Sequence, residues 1–512
     1  MAMSFSRRCH FIVPPPRVTR FEVSDWFVEV PRGLLAQPFV EGELSGVYRA
    51  PDGDEVAVKG FCDSADGTLF RVRFTPRTAG RYTYRLVFTG ADVQEAYEGT
   101  FECVPGGRRG FIRIDPDHPQ HFICEDGFRP YILSKTAWLL AISHNALQFI
   151  DQAAANGFNC LRLAIETNYY VEEVGRDIWP WGGTRAQPDF ERFNIPLWRR
   201  LEEIAYHAAL RGVFLEPVLF CTMRREPKPP IPDEIMERYW DYLLARLSAF
   251  PNIIAWELFN EYDGNEDYQA YMAGYLRAHD PYRHLICTSW GTTEDAAWPD
   301  AEWLDLAINH SCTSSDPRRH GLDHYYRRVA LRVASHGKPA WCDESGRERR
   351  HGNDDPVHRR KQAWVWAMSG VYWNYHSWGG CEGISSLMLG PGEEFMRHVR
   401  AFWEQRTQWW RMKPFLDGVL SHPPCDYAYL LASDREAVAY LVNEESGRPT
   451  PVGLVRLRLT PGRYDVRTYD PATGRYTRVD AIQNTEASGE LALETPSFVD
   501  DLVLHLVARD AR

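Results

Sequence analysis

Eight strand-like runs alternate with helix-length segments between residues 132 and 375, and this alternation limits the possible fold more than any other feature of the sequence. Each run is short and apolar and ends at polar or turn residues, as expected for strands that are buried on both faces of a parallel sheet. Eight such units over roughly 300 residues are what a TIM barrel requires. The runs are 132–134, 158–164, 213–220, 252–259, 284–290, 305–310, 339–344 and 370–375. We therefore predict an α/β fold built on a (β/α)8 TIM barrel.

Amphipathic patterns between these runs predict the helices. Apolar residues at 197, 198, 201, 204, 205 and 208 recur with the period of a helix, and similar stripes cover 145–156 and 235–247. Asn156 and Gly157 are a stop signal for the first of these helices. A further helix is predicted near 392–412.

The segments on either side of the barrel show the alternation that is typical of half-buried strands. Residues 18–104 and 416–512 carry short alternating runs separated by turn signals, and 105–110 reads as a linker. We predict an N-terminal β-sandwich over 18–104, the barrel over 111–415 and a small C-terminal β-sandwich over 416–512.

Charge and cysteine usage exclude several classes of protein. The formal net charge of -12 argues against nucleic-acid binding, which needs basic patches. No apolar stretch is long enough to span a membrane and no signal peptide is evident. The 11 scattered cysteines are typical of reduced, buried thiols, so we expect a cytoplasmic protein. No CxxC pair or HExxH motif is present, and we expect neither a metal nor a cofactor.

Two carboxylates stand where barrel enzymes keep their catalytic groups. Glu261 follows the fourth strand and Glu344 ends the seventh, so the fold brings both to one barrel mouth. Retaining glycoside hydrolysis needs such a pair, one protonated and one ionised. Asn260 could bind the sugar hydroxyl beside the anomeric carbon. The alternative for a single glutamate is a solvated loop residue, whereas Glu257, within the strand, is interpreted as structural.

The motifs WELFNE at 256–261 and DESG at 343–346 resemble those of the retaining glycoside hydrolases of clan A, particularly the family 5 cellulase-like enzymes. The resemblance implies that Glu261 is the acid/base and Glu344 the nucleophile. It further implies that Arg162 keeps the nucleophile ionised, that His310 lies near it and that Trp378 forms the floor of the sugar subsite. A core histidine and a packing tryptophan are the alternatives for the last two.

Aromatic side chains are the remaining candidates for sugar binding, because flat rings can stack on sugar faces. The aromatic loop 169–194 resembles that of clan A relatives with an immunoglobulin-like N-terminal domain and a C-terminal β-domain. One departure is the first strand, where Thr136 to Trp138 and Ser143-His144 replace the expected histidine stretch. The predicted substrate-binding tryptophans besides Trp378 are Trp138, Trp181 and Trp290.

These features predict a retaining glycoside hydrolase that acts from the chain end on short, β-linked oligosaccharides or glycosides. A furanosidase or a transglycosylase would use the same carboxylates. A protein that binds carbohydrate without turnover is the alternative from another class. The expected partner is the oligosaccharide or glycoside substrate, and homo-oligomerisation is left open.

Overall fold

Two β-sheets, antiparallel except for one parallel strand pair, form the N-terminal region in a computed structural model. The structure describes residues 9–168, 177–222, 231–291, 293–310, 321–346, 354–377, 387, 389–479 and 483–509. One sheet has the order β1-β3-β7-β6 and the other β2-β9-β8-β4-β5. The elements are β1 (His10–Ile12), β2 (Arg17–Thr19), β3 (Ser24–Glu29), α1 (Pro38–Glu41), β4 (Glu43–Arg49), β5 (Glu55–Lys59), β6 (Phe61–Cys62), β7 (Leu69–Phe74), β8 (Gly80–Gly90) and β9 (Val93–Val104). Alternate side chains of β8 are buried, as the sequence pattern predicts, and they pack around the buried Trp26.

An eight-stranded parallel barrel follows, introduced by the hairpin of β10 (Ile112–Ile114) and β11 (Phe122–Cys124). Its strands are β12 (Leu133–Thr136), β13 (Cys160–Ala164), β16 (Phe214–Phe220), β17 (Ala255–Phe259), β18 (Leu285–Cys287), β19 (Ala307–His310), β20 (Ala340–Glu344) and β21 (Tyr372–Tyr375); the hairpin of β14 (Trp181–Thr184) and β15 (Gln187–Phe193) lies after β13. The ladder runs β18-β17-β16-β13-β12-β21-β20-β19. Between its two ends the Asp305 N–H donates to the Ile286 carbonyl at 2.9 Å. The predicted TIM barrel is confirmed, and each strand overlaps its predicted run.

Helices pack around the barrel wall, and four of them overlap the predicted helices, although the one predicted near 392–412 ends at Arg406. They are α2 (Ala146–Ala155), α3 (Ile195–Leu210), α4 (Asp233–Leu247), α5 (Glu266–His279), α6 (Arg328–Ala334), α7 (Pro356–Met368) and α8 (Glu393–Arg406). A π-helical turn over Leu322–Arg327 leads into α6, and short 3-10 turns cover Leu140–Ile142 and Trp409–Arg411. Gly157 ends α2 with a φ of 95°, and a Cβ there would lie 2.5 Å from the Arg397 Cα, so glycine is required. Among the described helices, none is long and apolar enough to span a membrane.

The C-terminal region is a set of antiparallel strands that packs against α7 and α8. Its main sheet has the order β22-β24-β25-β33-β28-β29, with β30 beside β28; β23-β27-β31 and β26-β32 form smaller sheets. The strands are β22 (Lys413–Pro414), β23 (Val419–Ser421), β24 (Tyr427–Ala432), β25 (Glu436–Val442), β26 (Pro449–Thr450), β27 (Gly453–Arg458), β28 (Arg463–Asp470), β29 (Arg475–Val479), β30 (Gln483–Asn484), β31 (Glu490–Thr495), β32 (Phe498–Val499) and β33 (Asp501–Arg509). Trp364 of α7 stacks on Tyr440 of β25 at 5.4 Å, so the barrel and this sheet share one hydrophobic core.

Buried ion pairs join the N-terminal region to the barrel. Arg73 of β7 is fully buried, and its guanidinium contacts Asp25 at 2.7 Å and Glu202 of α3 at 3.2 Å. Arg246 of α4 contacts Glu202 at 2.7 Å and Asp63 at 2.9 Å. Because each buried charge has a partner of opposite sign, this cluster fixes the N-terminal sheets against two barrel helices.

Candidate active site

The carboxyl ends of the barrel strands bring the predicted residues together at one mouth. Glu344 is the last residue of β20 and His310 the last residue of β19, whereas Arg162 lies within β13. Asn260 and Glu261 follow β17 directly. The Glu261 side chain is 29% exposed and the Glu344 side chain 7%, so the first is open to solvent and the second is enclosed.

Arg162 occupies the centre of this cluster and is fully buried. Its Nε lies 2.6 Å from Oε2 of Glu257 and its Nη2 lies 2.5 Å from Oε1, a bidentate pair. Nη2 also donates to Oδ1 of Asn260 at 2.9 Å, and Nη1 donates to Oε2 of Glu344 at 3.2 Å. Burial opposes the charge, but Asp343 and Glu257 outweigh it and raise the pKa of Arg162. The guanidinium is therefore a fixed cation beside Glu344.

Glu344 is surrounded by groups that favour its ionised form. Besides Arg162, its Oε1 lies 3.1 Å from Nδ1 of His376 and 3.6 Å from Nε2 of His310. Burial alone would raise the pKa of Glu344. His376, His310 and Arg162 outweigh burial and hold the pKa well below its usual range. This environment keeps the carboxylate ionised.

His310 contacts both candidate carboxylates with one nitrogen. Its Nε2 lies 3.2 Å from Oε1 of Glu261, besides the 3.6 Å contact with Glu344. Its Nδ1 faces Oδ1 of Asp343 at 3.1 Å, which fixes the ring orientation. Because both oxygens contact one atom, they lie no further apart than about 7 Å, a limit that admits the ~5–5.5 Å separation typical of retaining glycosidases.

The predicted tryptophans differ in their surroundings. Trp138 follows β12 and lies under the Arg162 guanidinium at 4.7 Å. Trp290 lies beyond β18, is partly exposed and packs edge-on against Trp298 at 5.2 Å. Trp181 is 1% exposed, with its ring against Tyr239 of α4 at 4.7 Å, so it packs between the β14–β15 hairpin and that helix. Its substrate-binding role stays a prediction without a supporting contact, and Trp378 lies outside the described residues.

The structure adds four residues that the sequence analysis did not assign to the site: His376, Asp343, Ser289 and Glu257. Glu257 was interpreted as structural, and its bidentate pair with Arg162 shows which side chain it holds. His376 directly follows β21, and a polar residue at the end of a barrel strand is the signal that could have identified it. Ser289, near the end of the predicted run 284–290, carries the same signal.

A second cluster anchors the β14–β15 hairpin beside the mouth. Glu166 is fully buried, and its Oε2 accepts from the Cys221 N–H at 3.0 Å and the Thr222 N–H at 3.1 Å. Its Oε1 accepts from Arg185, which also contacts Asp177 at 2.8 Å. These bonds tie the hairpin to the carboxyl ends of β13 and β16. Across the described parts of the chain, no group of three or more His, Cys, Asp or Glu side chains is placed to hold a metal.

Comparison with known protein families identifies the family to which the barrel region belongs. Residues 117–410 match the family described as apiosidase-like, catalytic domain, which covers more than half of the chain. The chain belongs to the apiosidase-like family. This apiosidase-like protein also matches a domain of unknown function, DUF5060, over residues 17–89.

Solved structures share the fold of this apiosidase-like chain. A candidate glycoside hydrolase from Bacteroides vulgatus ATCC 8482 is 20% identical, with a TM-score of 0.76 over 96% of this chain and 100% of its own. A glycoside hydrolase family 5 protein from the same strain is 18% identical, with a TM-score of 0.61 over 79% of this chain and 94% of its own. No curated protein matches the sequence. At these identities the structural matches show the fold.

Proposed function

We propose that this apiosidase-like protein is a retaining glycoside hydrolase of the clan A type, with Glu344 as nucleophile and Glu261 as acid/base. The observation that supports it best is the contrast between two carboxylates at one mouth. Glu344 is enclosed by Arg162, His310 and His376, whereas Glu261 is partly exposed and contacts His310. Double displacement needs one carboxylate held ionised and one that exchanges protons with substrate and water.

The proposed reaction has two steps. In the first, a Glu344 oxygen bonds to the anomeric carbon while the bond to the leaving oxygen breaks and Glu261 gives that oxygen its proton. In the second, Glu261 takes a proton from water, the water oxygen bonds to the anomeric carbon, and the ester to Glu344 breaks. Each step inverts the anomeric carbon, so the product keeps the substrate's configuration.

Asn260 is proposed to bind the substrate and Arg162 to hold the nucleophile. The Asn260 Oδ1 accepts from Arg162 at 2.9 Å, an orientation in which the amide nitrogen would donate to the sugar hydroxyl next to the anomeric carbon. Such a bond strengthens in the transition state. Trp138, Trp290 and Trp378 are proposed to contact the sugar, whereas the buried Trp181 is proposed to support the hairpin beside the mouth.

Action at the chain end is supported by the position of the β14–β15 hairpin. Phe39 of α1 packs edge-on against Phe193 at 5.9 Å, and Gln37 donates to Glu191 at 2.9 Å. These contacts with the N-terminal region hold the β14–β15 hairpin in place beside the mouth of the barrel. A hairpin fixed at this edge of the mouth favours a pocket for a short glycoside over an open groove.

The family name favours a specific form of the furanosidase alternative. Apiose is a branched pentose that occurs as a furanoside, so we propose small furanosides as the first substrates to test, with short β-linked pyranosides second. Transglycosylation would use the same ester at Glu344 with a sugar hydroxyl in place of water. A binding protein without turnover is the remaining alternative.

Two further proposals concern the whole chain. We propose that 18–104, 111–415 and 416–512 are three closely packed domains, the first immunoglobulin-like; each contains sheets of its own, and β22 at the end of the second joins the main sheet of the third. We also propose a cytoplasmic location, because the nine described cysteines are all buried, as expected for reduced thiols in a reducing compartment.

A panel of 4-nitrophenyl furanosides and pyranosides in both anomeric forms tests the proposed function, with NMR of the first-formed product anomer. We expect turnover of at least one glycoside with retention, and loss of turnover in Glu344→Gln. Inversion, or unchanged turnover in that variant, would contradict the proposal. Tight binding with no turnover by the unaltered protein would support the binding-protein alternative.

A further inference from the structure

We propose that Ser289, together with Glu257, is a positioning residue that couples the backbone of Glu261 to Arg162. The catalytic part of this inference rests on the proposed function, whereas the positioning part rests on geometry alone. Ser289 follows β18 and is fully buried, and nothing in its sequence context assigns it a role.

Ser289 holds the segment after β17 through three separate groups. Its N–H donates to the Phe259 carbonyl at 3.1 Å, and its carbonyl accepts from the Tyr262 N–H at 2.9 Å. Its Oγ accepts from the Glu261 N–H at 3.1 Å. One residue therefore contacts the backbone on both sides of Glu261 and at Glu261 itself.

Glu261 needs this support because its backbone is strained. Its φ is +50°, in the left-handed region that a residue with a Cβ rarely adopts. Residues in such conformations persist when the surrounding structure fixes them, and they concentrate at functional sites. The hydrogen bond from the Glu261 N–H to the Ser289 hydroxyl is made at the strained residue.

The same hydroxyl reaches the group that holds Arg162. Ser289 Oγ donates to Oε1 of Glu257 at 2.9 Å, and Arg162 Nη2 lies 3.4 Å from Ser289 Oγ. Glu257 in turn orients Arg162 through its bidentate pair, and Arg162 contacts Glu344. The backbone of the proposed acid/base and the cation beside the proposed nucleophile thus share one hydroxyl, so their relative position depends on it.

The neighbouring Thr288 supplies a matched control. It is also fully buried, and its Oγ1 donates to Oε1 of Gln269 at 2.7 Å, towards α5. Removing the Thr288 hydroxyl breaks this buried hydrogen bond, and a longer contact with the Phe259 carbonyl at 3.4 Å, but removes no hydrogen bond to Glu261, Glu257 or Arg162. A difference between the Ser289 and Thr288 variants therefore reports on positioning and not on general stability.

Crystal structures of Ser289→Ala and Thr288→Ala test the positioning directly and require no substrate. In Ser289→Ala we expect Glu261 to leave the left-handed region, or its carboxylate to move away from His310 by about 1 Å, a displacement that is large on the scale of catalytic alignment. In Thr288→Ala we expect Glu261 to keep its positive φ and its carboxylate to keep its distance from His310. An unmoved Glu261 in Ser289→Ala would overturn the inference.

Leaving-group dependence tests the catalytic consequence. If Glu261 is displaced in Ser289→Ala, the hydrolysis of phenyl glycosides should slow by at least about 10-fold. The hydrolysis of 2,4-dinitrophenyl glycosides should slow by less than about 3-fold, because a good leaving group needs little acid assistance. Ser289→Cys, which keeps a weak donor of similar size, should fall between the alanine variant and the unaltered enzyme. Equal losses on both substrates would contradict a role that acts through Glu261.

The crystal structures and the leaving-group kinetics together distinguish failure of this inference from failure of the proposed function. If the unaltered protein hydrolyses no aryl glycoside, the glycosidase proposal fails while the crystal structures still decide whether Ser289 positions Glu261. If it does hydrolyse them and Ser289→Ala behaves like Thr288→Ala in both experiments, the inference fails while the proposed function stands.

Discussion

His376 Nδ1 lies 3.1 Å from Oε1 of Glu344, so the strand-eight histidine directly contacts the carboxylate that is proposed to attack the substrate. This contact is the largest of the electrostatic effects that lower the pKa of Glu344 against the opposing effect of burial. Arg162 and His310 add to it from the other sides. Side chains from β13 and β19 and from the residue after β21 thus converge on the carboxylate at the end of β20.

Replacement of His376 should therefore change the pH profile. Activity is lost as pH falls through the pKa of Glu344, because the protonated carboxyl cannot attack, and a cation lowers that pKa. In His376→Gln we expect the acid limb of kcat/KM to move to higher pH by about one unit. The surface variant His279→Gln should leave the limb in place. An unchanged limb in His376→Gln would show that this contact does not keep Glu344 ionised.

The lowered pKa of Glu344 also predicts a pH dependence of stability. A carboxyl whose pKa is lower in the folded state stabilises the fold above its unfolded pKa, and that contribution is lost as pH falls through the folded pKa. Urea unfolding of the unaltered protein and Glu344→Gln should therefore show a stability difference that shrinks on acidification. A difference that grows as the pH falls would contradict the sign of the shift.

Glu261→Ala should separate acid from base catalysis. Because this variant lacks the proton donor, its kcat/KM for phenyl glycosides should fall about 10²–10⁴-fold, the usual contribution of general acid–base catalysis. Added azide should restore turnover of 2,4-dinitrophenyl glycosides and give a glycosyl azide of retained configuration, because azide needs no base to attack the ester. Failure of azide to restore turnover or form that product would remove the acid/base assignment.

Trp290 and Trp181 should respond differently to alanine. Trp290 is partly exposed at the mouth, so Trp290→Ala should raise KM several-fold with little change in unfolding temperature. Trp181 is 1% exposed, and Trp181→Ala should lower the free energy of unfolding by about 3–5 kcal/mol. Kinetics and thermal unfolding of both variants check this. An unaltered unfolding temperature in Trp181→Ala would favour the original substrate-binding prediction.

The ion pairs between the N-terminal region and the barrel give a stability prediction. Arg73→Met removes the fully buried partner of Asp25 and Glu202 and should cost about 3 kcal/mol in the free energy of unfolding, the low end of the range for a broken buried pair, because Arg71 and Arg246 still contact these carboxylates. Arg85→Met removes an exposed pair with Glu98 and should cost less than about 1 kcal/mol. Urea denaturation of both variants tests this, and equal losses would show that burial adds nothing to the Arg73 contacts.

The sequence predicts the barrel because strand and helix periods are local properties, and each predicted run overlaps an observed strand. It also places Glu261, Glu344 and Arg162 together, because carboxyl ends of barrel strands share one face. It does not predict the hydrogen bond from the Glu261 N–H to the Ser289 hydroxyl or the bidentate pair between Glu257 and Arg162. The first contact joins the ends of two adjacent strands, β17 and β18, and the second joins β17 to β13 across β16. Both depend on side-chain directions, for which a single sequence carries no signal.

Covalent trapping tests the central claim most directly. The protein is incubated with a 2-deoxy-2-fluoro glycoside of the sugar that the panel identifies, carrying a 2,4-dinitrophenyl leaving group, and is then digested and analysed by mass spectrometry. The account predicts one fluoroglycosyl adduct on Glu344 and none in Glu344→Gln. An adduct on another residue, or dinitrophenol release without any adduct at Glu344, would contradict it.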